Sequence, residues 1–276
     1  MNQRRRAARA ACCVALCTAL FGCHGTPKCP AQLLTDPARV LAAQQAKSGA
    51  LRSLRAEAKV DQRGREGRIK GRVMMFVERP DRVRFDAVTQ FGPALTLTSD
   101  GERFALSDFK SNRYLTGAAC EQNIARMIGV ALSGRDVASV MMGESPLIEA
   151  SSERMVCQGG SYVLTREGSS GARQELEYAV HEEDLKQAPE QQRLRLTRAS
   201  FWNAAGKPLY RVRYEDYRAV TPGKLELPHT VRIDDYVNDA DVLMRFSSID
   251  VDVNVPPDAF VQEPRSGLTV EEILCE

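Results

Sequence analysis

From residue 55 onward the pattern of this chain changes to strands, with a recurring period-two alternation of apolar and polar residues, and that rhythm commits most of it to β-structure. In residues 67–77, Ile69, Val73, Met75 and Val77 fall on one face and Arg68, Lys70 and Arg72 on the other. After a turn at Pro80-Asp81, Val83, Phe85 and Ala87 oppose Arg82, Arg84 and Asp86. Leu95, Leu97, Phe104 and Leu106 extend the apolar face across Ser99-Asp100-Gly101, a strong hairpin signal. Strand patterning returns in residues 155–157, 162–166, 174–180, 194–202, 209–217, 230–236 and 242–255. Such alternation means an antiparallel sheet with one apolar face. In the last segment Val242, Met244 and Phe246 share one parity, while Ile249, Val251 and Val253 have the other. A bulge near Ser247-Ser248 is expected to restore a single face and to curve the sheet.

A sheet with one apolar face needs a cover, and two stretches can supply it. Asp36-Pro37 reads as an N-cap followed by proline at the first helical position, opening a helix to about Leu54. Its small residues (Ala42, Ala43, Ala46, Gly49, Ala50) would let it lie close to the sheet. Between the two runs of strands, Ile124, Met127, Ile128, Ala131 and Leu132 form a helical stripe. Ser133-Gly134-Arg135-Asp136 reads as a capping box opening a second short helix with Val137, Val140 and Met141, stopped by Gly143 and Pro146. The expected fold is mainly β (α+β): one domain over residues 36–276 with a helical lid at about 118–143.

The N-terminus sets the compartment. Residues 1–9 carry Arg4, Arg5, Arg6 and Arg9 and no acid, and residues 10–21 form an apolar run too short to span a bilayer. The run ends in Leu20-Phe21-Gly22-Cys23, which resembles the lipobox of a bacterial lipoprotein signal. That resemblance implies a signal peptide over residues 1–22, cleavage after Gly22, lipid on Cys23 and a tether over residues 23–35. Removing the four signal arginines leaves 34 of the 38 basic residues against 36 acids, a formal charge of −2. A nearly neutral domain without a basic stripe does not read as a nucleic-acid binder.

Cys12, Cys13 and Cys17 leave with the signal and Cys23 is consumed by lipid, so Cys29, Cys120, Cys157 and Cys275 remain. Four cysteines in an oxidising compartment point to two disulfides with three possible connectivities. The expected pairs are Cys120–Cys157, bracketing the helical insertion, and Cys29–Cys275, tying the two ends. The spacings match no zinc pattern, so no metal is expected.

Catalytic patterns fail residue by residue. The three histidines, His24, His181 and His229, are scattered, and neither G-x-S-x-G nor H-E-x-x-H occurs. Gly129 and Gly134 have the spacing of a phosphate loop, but Arg135-Asp136 follows where Lys and then Ser or Thr are needed. Asp234, Asp235, Asp239 and Asp241 cluster at a hairpin without the spacing of a calcium loop. No enzymatic activity and no cofactor are expected.

The feature with chemical content is apolar. Met127, Met141 and Met142 on the short helices, with Met74 and Met75 on a strand, suit a surface that accepts variable apolar guests; a packed core is the other reading. Three segments carry a resemblance to a known family. They are residues 77–85 leading to Gln90-Phe91-Gly92-Pro93-Ala94-Leu95-Thr96-Leu97, residues 133–143 as a short helix ending in glycine, and the closing Leu227-Pro228 strand with the valine-rich end. Over about residues 36–262 the chain resembles the LolA/LolB superfamily of periplasmic lipoprotein carriers, in particular its outer-membrane LolB-like members.

The resemblance implies a curved, half-open antiparallel β-barrel of roughly eleven strands, covered by the N-terminal helix and the inserted pair. It implies a cavity for lipid acyl chains or lipoprotein cargo, with Ile69, Val73, Met75, Phe85, Leu97, Phe104, Ile124, Met127, Ile128, Val140 and Met141 as the lining. It implies an outer-membrane anchor, a soluble periplasmic carrier as partner, and a membrane-insertion loop at Phe91-Gly92. Two rival readings use the same fold: an envelope sensor or assembly lipoprotein, and a lipid-anchored β-domain with a filled core.

Overall fold

The computed structural model describes residues 28–65, 67–90, 92–221 and 225–275, with backbone only at 47, 48 and 127. Among these, one curved, open sheet of 14 strands carries the fold. Helix α1 (Pro37–Ala50) comes first, started by Asp36, whose Oδ1 accepts from the Ala38 N–H at 3.0 Å. Strands β1 (Ser53–Gly64), β2 (Gly67–Glu78), β3 (Arg82–Thr89), β4 (Gly92–Ser99), β5 (Arg103–Asp108) and β6 (Arg113–Ala118) follow as successive antiparallel hairpins. Then come α2 (Glu121–Ile128) and α3 (Gly134–Met141). The chain next crosses to the far edge and returns through β7 (Ser152–Gln158), β8 (Ser161–Glu167), β9 (Arg173–Val180), β10 (Leu194–Trp202), β11 (Pro208–Thr221), β12 (Leu225–Asp235) and β13 (Ala240–Val251). Strand β13 pairs with β1, joining the two halves, and β14 (Thr269–Ile273) adds to β6 in parallel.

Three expectations about the elements need correction. The strand count is fourteen rather than roughly eleven. Residues 53–64 form a strand of their own, with Leu54, Ala56 and Ala58 buried in the core and Arg55 and Glu57 outside. The sheet is also not wholly antiparallel, because the edge pairing β14–β6 is parallel. The N-terminal helix stops at Ala50, and Leu54, expected at its end, lies fully buried in β1.

The disulfides are Cys29–Cys157 and Cys120–Cys275, not Cys120–Cys157 and Cys29–Cys275. The sheet order explains this. Cys120 follows β6 at one edge, where β14 runs alongside with Ile273 opposite Gly117, so Cys275 arrives beside it. Cys157 lies in β7, the opposite edge strand, near the start of the described chain.

The concave face holds the core. Val73, Met75 and Val77 from β2 and Val83 and Phe85 from β3 pack with Leu164, Leu176, Val212, Val231 and Ile233 from the other half. Helix α3 turns Val137, Ala138, Val140 and Met141 inward, each large apolar side chain contributing about 1.5–3 kcal/mol on burial. Its Ser133 cap accepts from the Asp136 N–H at 3.1 Å, as the capping-box pattern expects. The β1–β13 register slips between Glu57, opposite Ser248, and Ala58, opposite Phe246, which places the expected bulge at Ser247.

Candidate functional site

Strand registers define two ends of the sheet. Leu54 opposite Val251 marks one, here the Leu51 end, and Arg63 opposite Asp241 marks the other, the Gly64 end. Two cavities lie at these opposite ends, under different helices.

The first, about 380 Å³, sits at the Gly64 end under α2. Ile69, Val73 and Met75 of β2, Phe85 and Ala87 of β3, Ile128 of α2, Met141 of α3, and Val242 and Met244 of β13 line it. Ile69 is 58% exposed, so the apolar wall runs out to solvent at the mouth, where Arg65, Lys70, Arg126 and Asn238 also sit. Gly129 ends α2 with φ at 79°, and a Cβ there would lie 2.3 Å from Gln62 Nε2. Glycine therefore lets the Gln62 side chain pass against the helix end.

Of the eleven side chains expected to line a cavity, Ile69, Val73, Met75, Phe85, Ile128 and Met141 do so. Leu97, Phe104, Ile124 and Val140 are at most 1% exposed and fill the core behind it. The side chain of Met127, and Phe91 and Cys23 altogether, lie outside the described residues. Gly92 opens β4 opposite Thr89, at the same end as the cavity mouth. Val242 and Met244 were absent from the expected lining, although their shared parity was visible; only the β1–β13 pairing brings them beside β2.

The second cavity, about 690 Å³, lies at the Leu51 end under α1, with Val40, Leu51, Leu196, Leu225 and Val251 in its wall. Polar side chains also face it. Arg195 donates through Nε and Nη2 to Glu226 at 2.8 and 2.9 Å, and its guanidinium stands 5.7 Å from the Tyr217 ring centre. His181 Nε2 lies 3.5 Å from Glu226 Oε2. Burial, reinforced by the Arg195 charge, lowers the His181 pKa from its ordinary value. Tyr178 donates to Gln44 Oε1 at 3.2 Å, and desolvation pushes its phenol upward. His229, the other histidine in this half, is buried with Nδ1 3.2 Å from Leu227 O. Two members of the aspartate cluster serve structure: Asp235 caps the Val237 and Asn238 N–H groups, and Asp234 pairs with Arg213.

The tether is held at this same end. Besides the Cys29–Cys157 bond, Ala31 N donates to Leu185 O at 3.0 Å and Leu34 N donates to Tyr162 Oη at 2.8 Å. Tyr162 in turn donates to Gln192 Oε1 at 2.8 Å. Asp184 braces the 182–192 loop by accepting from Arg193 N and Nε and from Nη2. The guanidinium holds the Asp184 carboxyl down at about 2, against an ordinary 3.8. A depressed carboxylate contributes its stability above the ordinary value and loses it as pH falls through the folded value. Denaturant midpoints are therefore expected to fall between about pH 4 and 2, and Asp184→Asn should flatten that part of the profile.

No protein-family model matches the chain, and no curated protein matches it. Solved structures do. A Vibrio parahaemolyticus domain named for outer membrane lipoprotein sorting aligns with a TM-score of 0.54 at 11% identity, over 80% of this chain and 94% of that one. The fold is LolA-like. A LolA superfamily protein from Nitrosomonas europaea gives 0.51 at 11% identity, over 80% and 97% of the two chains. A DUF1329 family protein from Desulfovibrio piger gives 0.50 at 11% identity, over 81% and 95%. On this fold the two cavities lie between the curved sheet and its helices.

Proposed function

We propose that this chain is a periplasmic lipoprotein, anchored through Cys23 in the outer membrane, that holds acyl chains in the cavity under α2 and takes part in lipoprotein or lipid transfer. The observation that carries this reading is an apolar cavity that reaches solvent at Ile69, on a fold shared with a domain named for outer membrane lipoprotein sorting and with a LolA superfamily protein. The mechanism is partition rather than catalysis. Each buried methylene contributes about 0.8 kcal/mol, so even part of one chain gives useful retention while leaving release possible.

Six peptide links join Cys23 to the disulfide-held Cys29, a reach of about 20 Å. The 12 residues of β1 put the two ends of the sheet about 40 Å apart. An upright domain therefore turns the cavity mouth toward a soluble carrier, and only a domain lying along the bilayer brings the Phe91 loop to the anchoring membrane.

Ala87→Trp tests the reading, because Ala87 lines the cavity and is only partly buried. Native mass spectrometry of the mature protein is expected to show copurified lipid, reduced at least tenfold in Ala87→Trp with little change in melting temperature. An empty parent protein that takes up no lipid would leave the filled-core reading. Normal lipoprotein delivery by Phe91→Glu would remove the insertion role of that loop.

A further inference from the structure

The cavity under α1 is larger than the one the proposed function uses, and its chemistry differs. We propose that it is a second binding site, for a zwitterionic phospholipid, with an acyl chain beneath α1 and the headgroup on the His181, Arg195 and Glu226 rim. The proposal goes beyond the acyl-chain reading of the first cavity and rests on the membrane-anchoring reading only for the source of the lipid.

Size and cover come first. About 690 Å³ lies within the usual range of small-molecule sites. Of the described α1 side chains only Val40 is buried, while Ala43 and Ala50 remain exposed yet face the cavity. The helix thus spans the space without filling it. It is pinned ahead by Cys29–Cys157 and the Leu34–Tyr162 hydrogen bond, and behind by Leu51, 1% exposed. A cover fixed at both ends can bow to admit a chain without leaving the domain.

The rim then selects the headgroup. Arg193 and Arg195 supply positive charge beside Glu226 and Asp252, within one cavity wall. Their carboxylate partners occupy Nε and Nη2 of each guanidinium and fix its plane. A guanidinium has five N–H donors, so such a fixed fork can still meet a phosphate oxygen. A purely anionic headgroup would also meet Glu226 and Asp252, and a purely cationic one both arginines. A phosphate and an amine a few bonds apart match both signs. The tether holds this end, not the first cavity's mouth, near the anchoring membrane, so bilayer lipid is the source the geometry favours.

The test uses the mature lipidated protein in vesicles of phosphatidylethanolamine and phosphatidylglycerol at 3:1, with benzoylphenylalanine at Leu194 in this cavity or at Ile69 in the first. Irradiation should give Leu194 adducts enriched at least fivefold in phosphatidylethanolamine over the vesicle ratio. Glu226→Lys should shift them toward phosphatidylglycerol, and Ala43→Trp should abolish them while Ile69 adducts persist. No Leu194 adduct, or adducts at the vesicle ratio that Glu226→Lys leaves unchanged, would overturn the proposal. Labelling at Leu194 without labelling at Ile69 would sink the first-cavity reading and keep this one.

Discussion

Replacing Cys29 and Cys157 together by serine is expected to lower the unfolding free energy by about 4 kcal/mol and the melting temperature by roughly 10 °C. The bond joins residues 128 apart, so its loss returns a large loop entropy to the unfolded chain. Both cysteines change together so that no lone thiol can form mixed disulfides. Urea unfolding under non-reducing conditions measures the effect, and a shift under 1 kcal/mol would mean that the native tether is not bridged to β7. A second consequence follows from geometry. With the bridge gone, residues 29–34 are held by the weaker Ala31, Gln32 and Leu34 hydrogen bonds and the buried Leu34 side chain, which can open locally. Thirteen residues from Cys23 to Asp36 can then extend to about 45 Å instead of about 20 Å for the six before Cys29. The released domain should sample more distances from the vesicle surface, read as broadened fluorescence transfer from a dye near Gly64 to labelled lipid.

What the sequence shows depends on how local the cause is. Alternation, the Ser133 capping box and the Ser247 bulge were readable because each rests on side chains a few residues apart. The change to strand pattern from residue 55 was readable, but the bounds of β1 were not, since its inward positions include Ala56 and Ala58 and its outward ones Glu57 and Lys59, all compatible with a helix. Strand β14 has two apolar residues in five and exists because the edge of β6 and the Cys120 bond receive it. The disulfide pairing was unreadable for the same reason: it depends on which strands become edges, a property of the whole sheet. Half of the first cavity was legible in β2 and β3, but Val242 and Met244 enter through a pairing across at least 180 residues, Val242 opposite Gln62 and Met244 opposite Val60. The second cavity has one faint sign in the sequence, the small residues of α1, and small residues fit close packing as well as they fit space.

Gly117→Ala is expected to cost about 3 kcal/mol, although it adds one methyl group. Gly117 lies in β6 opposite Ile273 of β14, and a Cβ there would stand 2.2 Å from the Ile273 carbonyl oxygen. Retreat inward is also limited, because Asn123 Nδ2 lies 3.3 Å from the same position and donates to Ala118 O at 2.9 Å. The colliding atom is backbone, so β14 must move as a unit. Arg113 holds Glu271 through two hydrogen bonds at 2.8 and 2.6 Å, Thr269 N donates to Asn112 O, and Cys275 is tied to Cys120. The substitution therefore sets the strand against its own fastenings. Hydrogen exchange should accelerate in residues 269–273 and 113–118 while β12 and β13 stay protected, and unchanged exchange would show that β14 does not pack on β6 in solution. Gly49→Ala is the matched control: it meets nothing within 4 Å and lies in α1, where alanine should add about 0.5–1 kcal/mol. Once β14 lifts, β6 becomes an uncovered edge with free N–H and C=O groups, so Gly117→Ala should also associate in a concentration-dependent way that Gly49→Ala does not.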